Sequence, residues 1–539
     1  MEVLFVKDQF AVQGFDHLLD QLVRVPAVRQ APFDSRQGDG DEDQREDQWD
    51  DPRPRFDEGV ERLHSGDYTP ARPRPPSCLY NRGVPRAVSF LLIVILVAGC
   101  AAPQPAATRT AASPASPTLA VVPTQAIEEA APTVAIPDPV AGEAALWHAF
   151  TGETAEAFEA IVADFNASNP YGVVVVAERH NNYFQLAQDM NAALTDGVWP
   201  GLIVAHPYQL AGWQAAGLVA PIDHFIHDPA YGLSEVDRTN LFTSLWTPDY
   251  EPGGEHLGVP ALRTAQVLFY NATWAAELGF AAAPATPEEF QQQACAAADA
   301  NGDATGGWFI DIDASTTFAW LRAFGAPGAE ADGYVLDTQE TRAAAAFLRR
   351  LVETGCAWRP ATRYPDAEFS ARQGLFYSAR ASAIPFLNAA LQAAGNEDEW
   401  QVIAYPGAPV VSVTGPALSI LDAPLEAQSS AWAFLHFFLQ PEQQARWVRA
   451  TGALSVSADV TAALGPGWVA ANPQWQAAQG LAQESGQPEP TRPSWGVVRG
   501  VLMDAFEELL GPSLTQARLL SLMPELQATA DEVDAASGR

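Results

Sequence analysis

The sequence predicts an open α/β fold divided into at least two lobes, and two observations carry that expectation. From about residue 144 onward, short apolar strand-like runs alternate with amphipathic helix-like stretches, the pattern of βα units built around a sheet. The chain has 539 residues, 48% of them hydrophobic, which is more than one core usually holds once its non-globular parts are set aside.

The first strand is read at Ala144-Ala145-Leu146-Trp147, with a turn at Thr151-Gly152. In the helix that follows, Phe158, Ile161, Val162 and Phe165 recur at helical spacing. Glu153, Glu156 and Glu159 fall early, where the helix dipole favours negative charge, and Asn169-Pro170 ends the helix. Val173 to Val176 is a β-branched run typical of a buried parallel strand; Leu186, Met190 and Leu194 mark a second helix face, and Gly201 to Ala205 is a third strand. A second series starts at Gly258-Val259-Pro260, runs through Val267 to Tyr270 and enters a helix after Asn271. Thr286-Pro287-Glu288-Glu289 reads as a capping box with proline at the first helical position. Further helices are predicted over 341–353 and 429–439, the latter with Trp432, Leu435 and Phe438 on one core-facing stripe. In open α/β sheets, ligands bind beyond the carboxyl ends of the strands.

Composition narrows the partners. A formal net charge of −35 argues against a nucleic-acid backbone and against general adhesion to anionic lipid, so membrane attachment requires a specific anchor. No GxSxG elbow, HExxH helix, Walker-type loop or GxGxxG turn is present, and no cofactor is expected. Asp299, Asn301 and Asp303 have the opening spacing of a calcium loop, but Ala304 stands where the turn glycine belongs and Ile310 where the bidentate glutamate belongs, so no metal is expected there. The four cysteines, Cys78, Cys100, Cys295 and Cys356, show no CxxC pair or metal-site spacing.

Arg82 and Arg86 precede an apolar run from Ala87 to Leu96, and Val97-Ala98-Gly99-Cys100 follows. This is export-signal anatomy over 84–99, too short for a comfortable membrane span. The last four residues resemble a bacterial lipobox, which implies lipidation of Cys100 and cleavage before it. Residues 1–83, with an acidic run at Gly38 to Asp47 and a proline-rich stretch at Pro70 to Pro76, fit poorly in front of such a signal; translation is expected to start near Val84. Residues 100–140, rich in Ala, Pro, Thr and Ser, read as a tether. With Cys78 removed and Cys100 lipidated, Cys295 and Cys356 are left either to pair outside the cytoplasm or to stay as buried thiols; the sequence leaves both open.

The order of segments over 146–539 resembles the extracellular solute-binding proteins, family 1, that serve ABC importers of sugars. The residues that carry the likeness are Trp199-Pro200-Gly201-Leu202-Ile203, Gly217 to Ile222, Gly258-Val259-Pro260 with Tyr270-Asn271, Pro284 to Phe290, Ala431 to Trp447 followed by Gly452-Ala453-Leu454, and Leu510 to Leu514 before a last amphipathic helix. The resemblance implies a two-lobed periplasmic-binding-protein-like fold of type II over 141–539, with crossing hinge segments. Lobe 1 would take about 141–257 and a returning segment near 410–450, and lobe 2 about 265–408 and part of the carboxyl end. It also implies a monomer that is not an enzyme. Such a protein would sit lipid-anchored on the outer face of the cytoplasmic membrane, close on a small solute such as a sugar, and deliver it to importer membrane subunits. A secreted glycoside hydrolase and a purely structural lipoprotein are the alternatives.

Solute contacts in this family come from loops after the strands. On that basis the expected contacts in lobe 1 are His148, Phe150 and Thr151, then Asn182 and Tyr183, then His206 and Tyr208. Arg263 lies near a lobe crossing and offers a planar fork; Trp308 and Asp311 offer a ring and a carboxylate, and Tyr377 is a further candidate. Capping is the plainer role for Thr151 and Asn182, packing for Trp308. Rings paired with amide, hydroxyl and carboxylate groups suit sugars, and 15 Trp and 12 Tyr permit such a site.

Overall fold

The structure is a computed structural model that describes residues 135–249 and 254–537. The expected extension over 1–83, the export signal over 84–99, the lipidation site Cys100 and the tether up to residue 134 lie outside the described residues.

The chain builds two sheets. In lobe 1, β1 (Gly142–His148) lies between β2 (Val173–Arg179) and β3 (Leu202–Ala205), parallel to both. Helices fill the intervals, so Phe158, Ile161, Val162 and Phe165 of helix Gly152–Ser168 enter the core under the sheet. The Val-rich strand differs from expectation: β2 is the sheet's edge, so only Val173 and Val175 are buried, while Val174 and Val176 stay 42% and 47% exposed. β4 (Val259–Pro260) ends this first pass through lobe 1.

The chain then crosses into lobe 2. There follow β5 (Thr264–Asn271), β6 (Gly306–Phe309), the hairpin of β7 (Gly328–Glu330) and β8 (Gly333–Val335), β9 (Ala357–Trp358), β10 (Gly374–Arg380), β11 (Trp400–Ile403) and β12 (Val411–Thr414). It recrosses to place β13 (Ala417–Ile420) antiparallel between β3 and β4, which makes the first sheet β2-β1-β3-β13-β4. After the lobe 1 helix Leu425–Phe438 and helix Pro441–Thr451, a third crossing leads back to β14 (Gly486–Pro488), and the second sheet runs β14-β12-β5-β10-β6-β9 with β11 also on β5. The carboxyl-terminal helices Trp495–Leu510 and Gln516–Ala536 cover lobe 2.

Local chemistry fixes the helix starts. Thr286 accepts from Glu289 N–H while the Glu289 carboxylate accepts from Thr286 N–H, the reciprocal box expected at helix Pro287–Asn301. Trp432 and Phe438 are in the lobe 1 core, as the stripe predicts. Cys295 and Cys356 are bonded, with Cα atoms 4.4 Å apart, which joins that helix to the residue before β9.

The three crossings meet at Arg263. Its Nε donates to Leu245 O at 2.9 Å, and Nη1 donates to Gly415 O at 3.1 Å and Pro416 O at 2.9 Å, on the second crossing. Its own carbonyl accepts from Leu454 N–H at 2.8 Å, on the third. The guanidinium is ion-paired with Asp249, and both side chains are fully buried. Burial pushes the Asp249 carboxyl up to about 6 against the opposing pull of Arg263. Gly415 has φ +136°, and a Cβ there would lie 1.9 Å from Leu262 O, so only glycine lets the first two crossings touch. The residues just before lobe 1 are also held: Val140 N–H donates to Ser430 Oγ, and Ser429 Oγ donates to Pro137 O.

Candidate functional site

The cavity that follows from this architecture lies between the lobes and encloses about 400 Å³. Its floor is the hinge, formed by Leu262 and Thr264 of the first crossing and Thr414, Gly415 and Pro416 of the second. Lobe 1 contributes Phe150 and Thr151 after β1, Tyr183 after β2, and His206 and Tyr208 after β3. These three strands are parallel, so their carboxyl ends open on the same side. Lobe 2 contributes Arg380 at the end of β10, Glu489 and Thr491 after β14, and Trp495 and Arg499 from the helix that follows.

The lobe 1 wall is aromatic and neutral. His206 lies 4.5 Å from the Tyr183 ring and stacks on Tyr208 at 5.4 Å and 6°. Gln209 Oε1 accepts from His206 N–H, which fixes the start of helix Pro207–Gln214. Burial, helped by the nearby guanidinium groups of Arg499 and Arg380, lowers the His206 imidazole to about 3, so it is neutral at any ordinary pH. Burial likewise pushes the Tyr183 hydroxyl up, and that buried hydroxyl has no hydrogen-bonding partner among the described residues. Tyr208 also reaches lobe 2: its ring packs beside Gly496, where a Cβ would come within 2.8 Å of it.

The lobe 2 wall is charged. Arg499 Nη1 and Trp495 Nε1 both donate to Glu489 Oε2, whereas Glu489 Oε1 is buried without a partner among the described residues. Arg380 pairs with Asp313, whose nearer oxygen is 3.4 Å away, and lies near Asp311.

The profile of the family described as bacterial extracellular solute-binding protein matches residues 160–478. The chain belongs to that family. Among solved structures, this solute-binding protein is similar to the cyclic α-maltosyl-1,6-maltose binding protein of Arthrobacter globiformis, at 21% identity and TM-score 0.60, over 74% of this chain and 99% of that one. It is similar to the sugar-binding protein MalE of Xanthomonas citri, at 18% identity and TM-score 0.63, over 73% and 98% of the two chains. It is also similar to UgpB of Mycobacterium tuberculosis in complex with glycerophosphocholine, at 19% identity and TM-score 0.61, over 73% and 98%. Compared by sequence with curated proteins, it matches none. These likenesses place the fold among type II periplasmic binding proteins, as the resemblance implied.

Of the expected contacts, the solute-binding protein brings Phe150, Thr151, Tyr183, His206 and Tyr208 to the cavity. Thr151 stands at the helix start without a side-chain capping bond, which leaves its hydroxyl to the cavity. The other six do not line it. Asn182 caps helix Tyr183–Asp196 by accepting from Gln185 N–H. Arg263 is spent on Asp249 and backbone carbonyls, as described above. Trp308 is core, its Nε1 donating to Ser378 Oγ at 3.0 Å, and Tyr377 packs edge-on against Phe269 and Phe309 in the core. Asp311 accepts from Thr316 Oγ1 and lies outside the lining. Sequence reasoning missed Arg380, Glu489, Trp495 and Arg499.

His148 is a correction of a different kind. It is fully buried between Phe150 and Phe158, with both ring nitrogens lacking a hydrogen bond among the described residues; Glu159 Oε1 lies 3.5 Å from Nε2. Burial lowers its pKa to about 4, although Glu159 pulls upward. The unfolded chain, near 6.5, therefore takes up the proton first, and stability falls as pH drops from about 6.5 towards 4. His148→Phe should flatten this fall: between pH 6.5 and 4.5 the parent should lose about 2–3 kcal/mol more than the variant in urea unfolding. Equal slopes for the two proteins would place the acid sensitivity elsewhere.

Proposed function

We propose that this chain is the capture component of an ABC importer, which closes its two lobes on a small polyhydroxylated solute, a carbohydrate, and presents it to the importer's membrane subunits. The observation that carries this reading is the cavity itself: its walls come from both lobes and its floor from the first two crossings, so a solute seated there touches both lobes and the hinge between them. Closure is then favoured by as much as the solute binds the closed form better than the open one. Phe150, Thr151, Tyr183, His206 and Tyr208 contact the solute from lobe 1. Similar folds that bind a cyclic maltosyl-maltose and glycerophosphocholine support a hydroxyl-rich solute of modest size. The signal over 84–99 exports the chain, and Cys100 anchors it by lipid to the outer face of the cytoplasmic membrane, where it acts as a monomer.

Thermal and calorimetric titration against a panel of saccharides, polyols and their derivatives tests this. A true ligand at 100 times its dissociation constant should add about 2.7 kcal/mol of stability, with no product formed. Release of product from any glycoside would overturn the reading in favour of a hydrolase.

A further inference from the structure

We propose that the solute taken between the lobes carries one negatively charged group, a phosphate ester or a carboxylate, on its hydroxylated body. This rests on the reading of the cleft as a solute site and names the chemistry that site selects.

Charge distribution is the first support. The chain as a whole is strongly acidic, at −35, yet the charged side chains lining the cavity are Arg380, Arg499 and Glu489, two cations against one anion. Arg499 and Glu489 neutralise each other by direct contact. Arg380 is left over. Its side chain is 42% exposed, its ion-pair partner Asp313 lies at 3.4 Å and is shared with Arg499 at 3.8 Å, and Asp311, also near it, is held towards its neutral form by burial. A guanidinium with unused N–H groups on a cavity wall is a planar fork matched to a carboxylate or phosphate.

The facing wall agrees. Thr151, Tyr183, His206 and Tyr208 supply hydroxyl and imidazole groups and no carboxylate, so nothing on the lobe 1 side repels an anion. The unpartnered Tyr183 hydroxyl can donate to an anionic oxygen from that side. The second support is Glu489 Oε1, a buried acceptor on a side chain only 6% exposed, which has no donor among the described residues. A carboxylate oxygen in that position calls for a donor from the solute, and a hydroxyl supplies it without a second positive charge. One site therefore asks for an anionic group at Arg380 and a hydroxyl at Glu489.

Isothermal titration of the folded protein with glucose, glucose 6-phosphate, glucuronate, glycerol, glycerol 3-phosphate and inorganic phosphate tests this. At least one charged member should bind tenfold or more tightly than its neutral parent, with the phosphate and carboxylate arms deciding which anion is preferred. In Arg380→Gln that ratio should fall to within threefold, and Glu489→Gln should weaken the charged sugar more than inorganic phosphate. Neutral parents that bind as well as their charged forms would overturn the inference and leave the solute-capture reading standing. So would inorganic phosphate that binds as tightly as the phosphorylated sugars. Absence of binding by every charged probe, with a neutral saccharide of the wider panel bound, would likewise overturn the inference alone, and absence of binding across the whole panel would sink both.

Discussion

Arg263→Met should cost the fold about 3–5 kcal/mol, the usual consequence of leaving one member of a buried ion pair without its partner. The loss has two sources. Asp249 would be left fully buried without its guanidinium partner and driven to take up a proton, and Leu245 O, Gly415 O and Pro416 O would lose their shared donor. Arg263→Lys separates them: an ammonium can reach Asp249 but lacks the fork that spans three carbonyls, so an intermediate loss is expected. Asp249→Asn combined with Arg263→Met should cost less than the sum of the two single changes, because the stranded carboxyl is gone. Urea unfolding of the four proteins reads this directly. If Arg263→Met unfolds within 1 kcal/mol of the parent, the clasp does not hold the crossings.

Removing the Cys295–Cys356 bond should be nearly as costly. The two residues are 61 apart in sequence, and opening a loop of that size restores about 4 kcal/mol of conformational freedom to the unfolded chain. The bond also joins helix Pro287–Asn301 to the strand edge it packs on, and Cys356 is buried in the same core. The unfolding midpoint of the parent in dithiothreitol should match that of Cys295→Ala/Cys356→Ala in its absence. A parent whose free-thiol titre rises by two on reduction without any shift in midpoint would refute the stabilising role.

The sheet of lobe 1 is legible from local pattern alone, because β1, β2 and β3 each follow their own helix or turn and each is a short apolar run. The same locality explains why the loops at Phe150-Thr151, Tyr183 and His206–Tyr208 line the cavity: a loop after a parallel strand faces the cleft whatever the rest of the chain does. Arg380, Glu489 and Arg499 escape such reasoning. β14 reaches the sheet by pairing with β12, more than 70 residues earlier, and nothing in the sequence around Glu489 marks that pairing. Arg263 shows the opposite failure. Its fork binds several oxygens at once, but those oxygens belong to the chain's own carbonyls, which only the meeting of three distant segments assembles. Trp308 offers a ring to a solute in the sequence, yet the two glycines before it, Gly306 and Gly307, serve close packing: a Cβ on Gly307 would lie 1.9 Å from Cys356 O.

The hold that Ser429 and Ser430 keep on Pro137 and Val140 has a mechanical consequence. Any tension that arrives along the backbone at Ile136 is borne by the flank of lobe 1, through helix Leu425–Phe438, and bypasses the pivot at Arg263. The segment that enters the fold at Ile136 is thus fastened to the flank of lobe 1, away from the clasp that joins the two lobes.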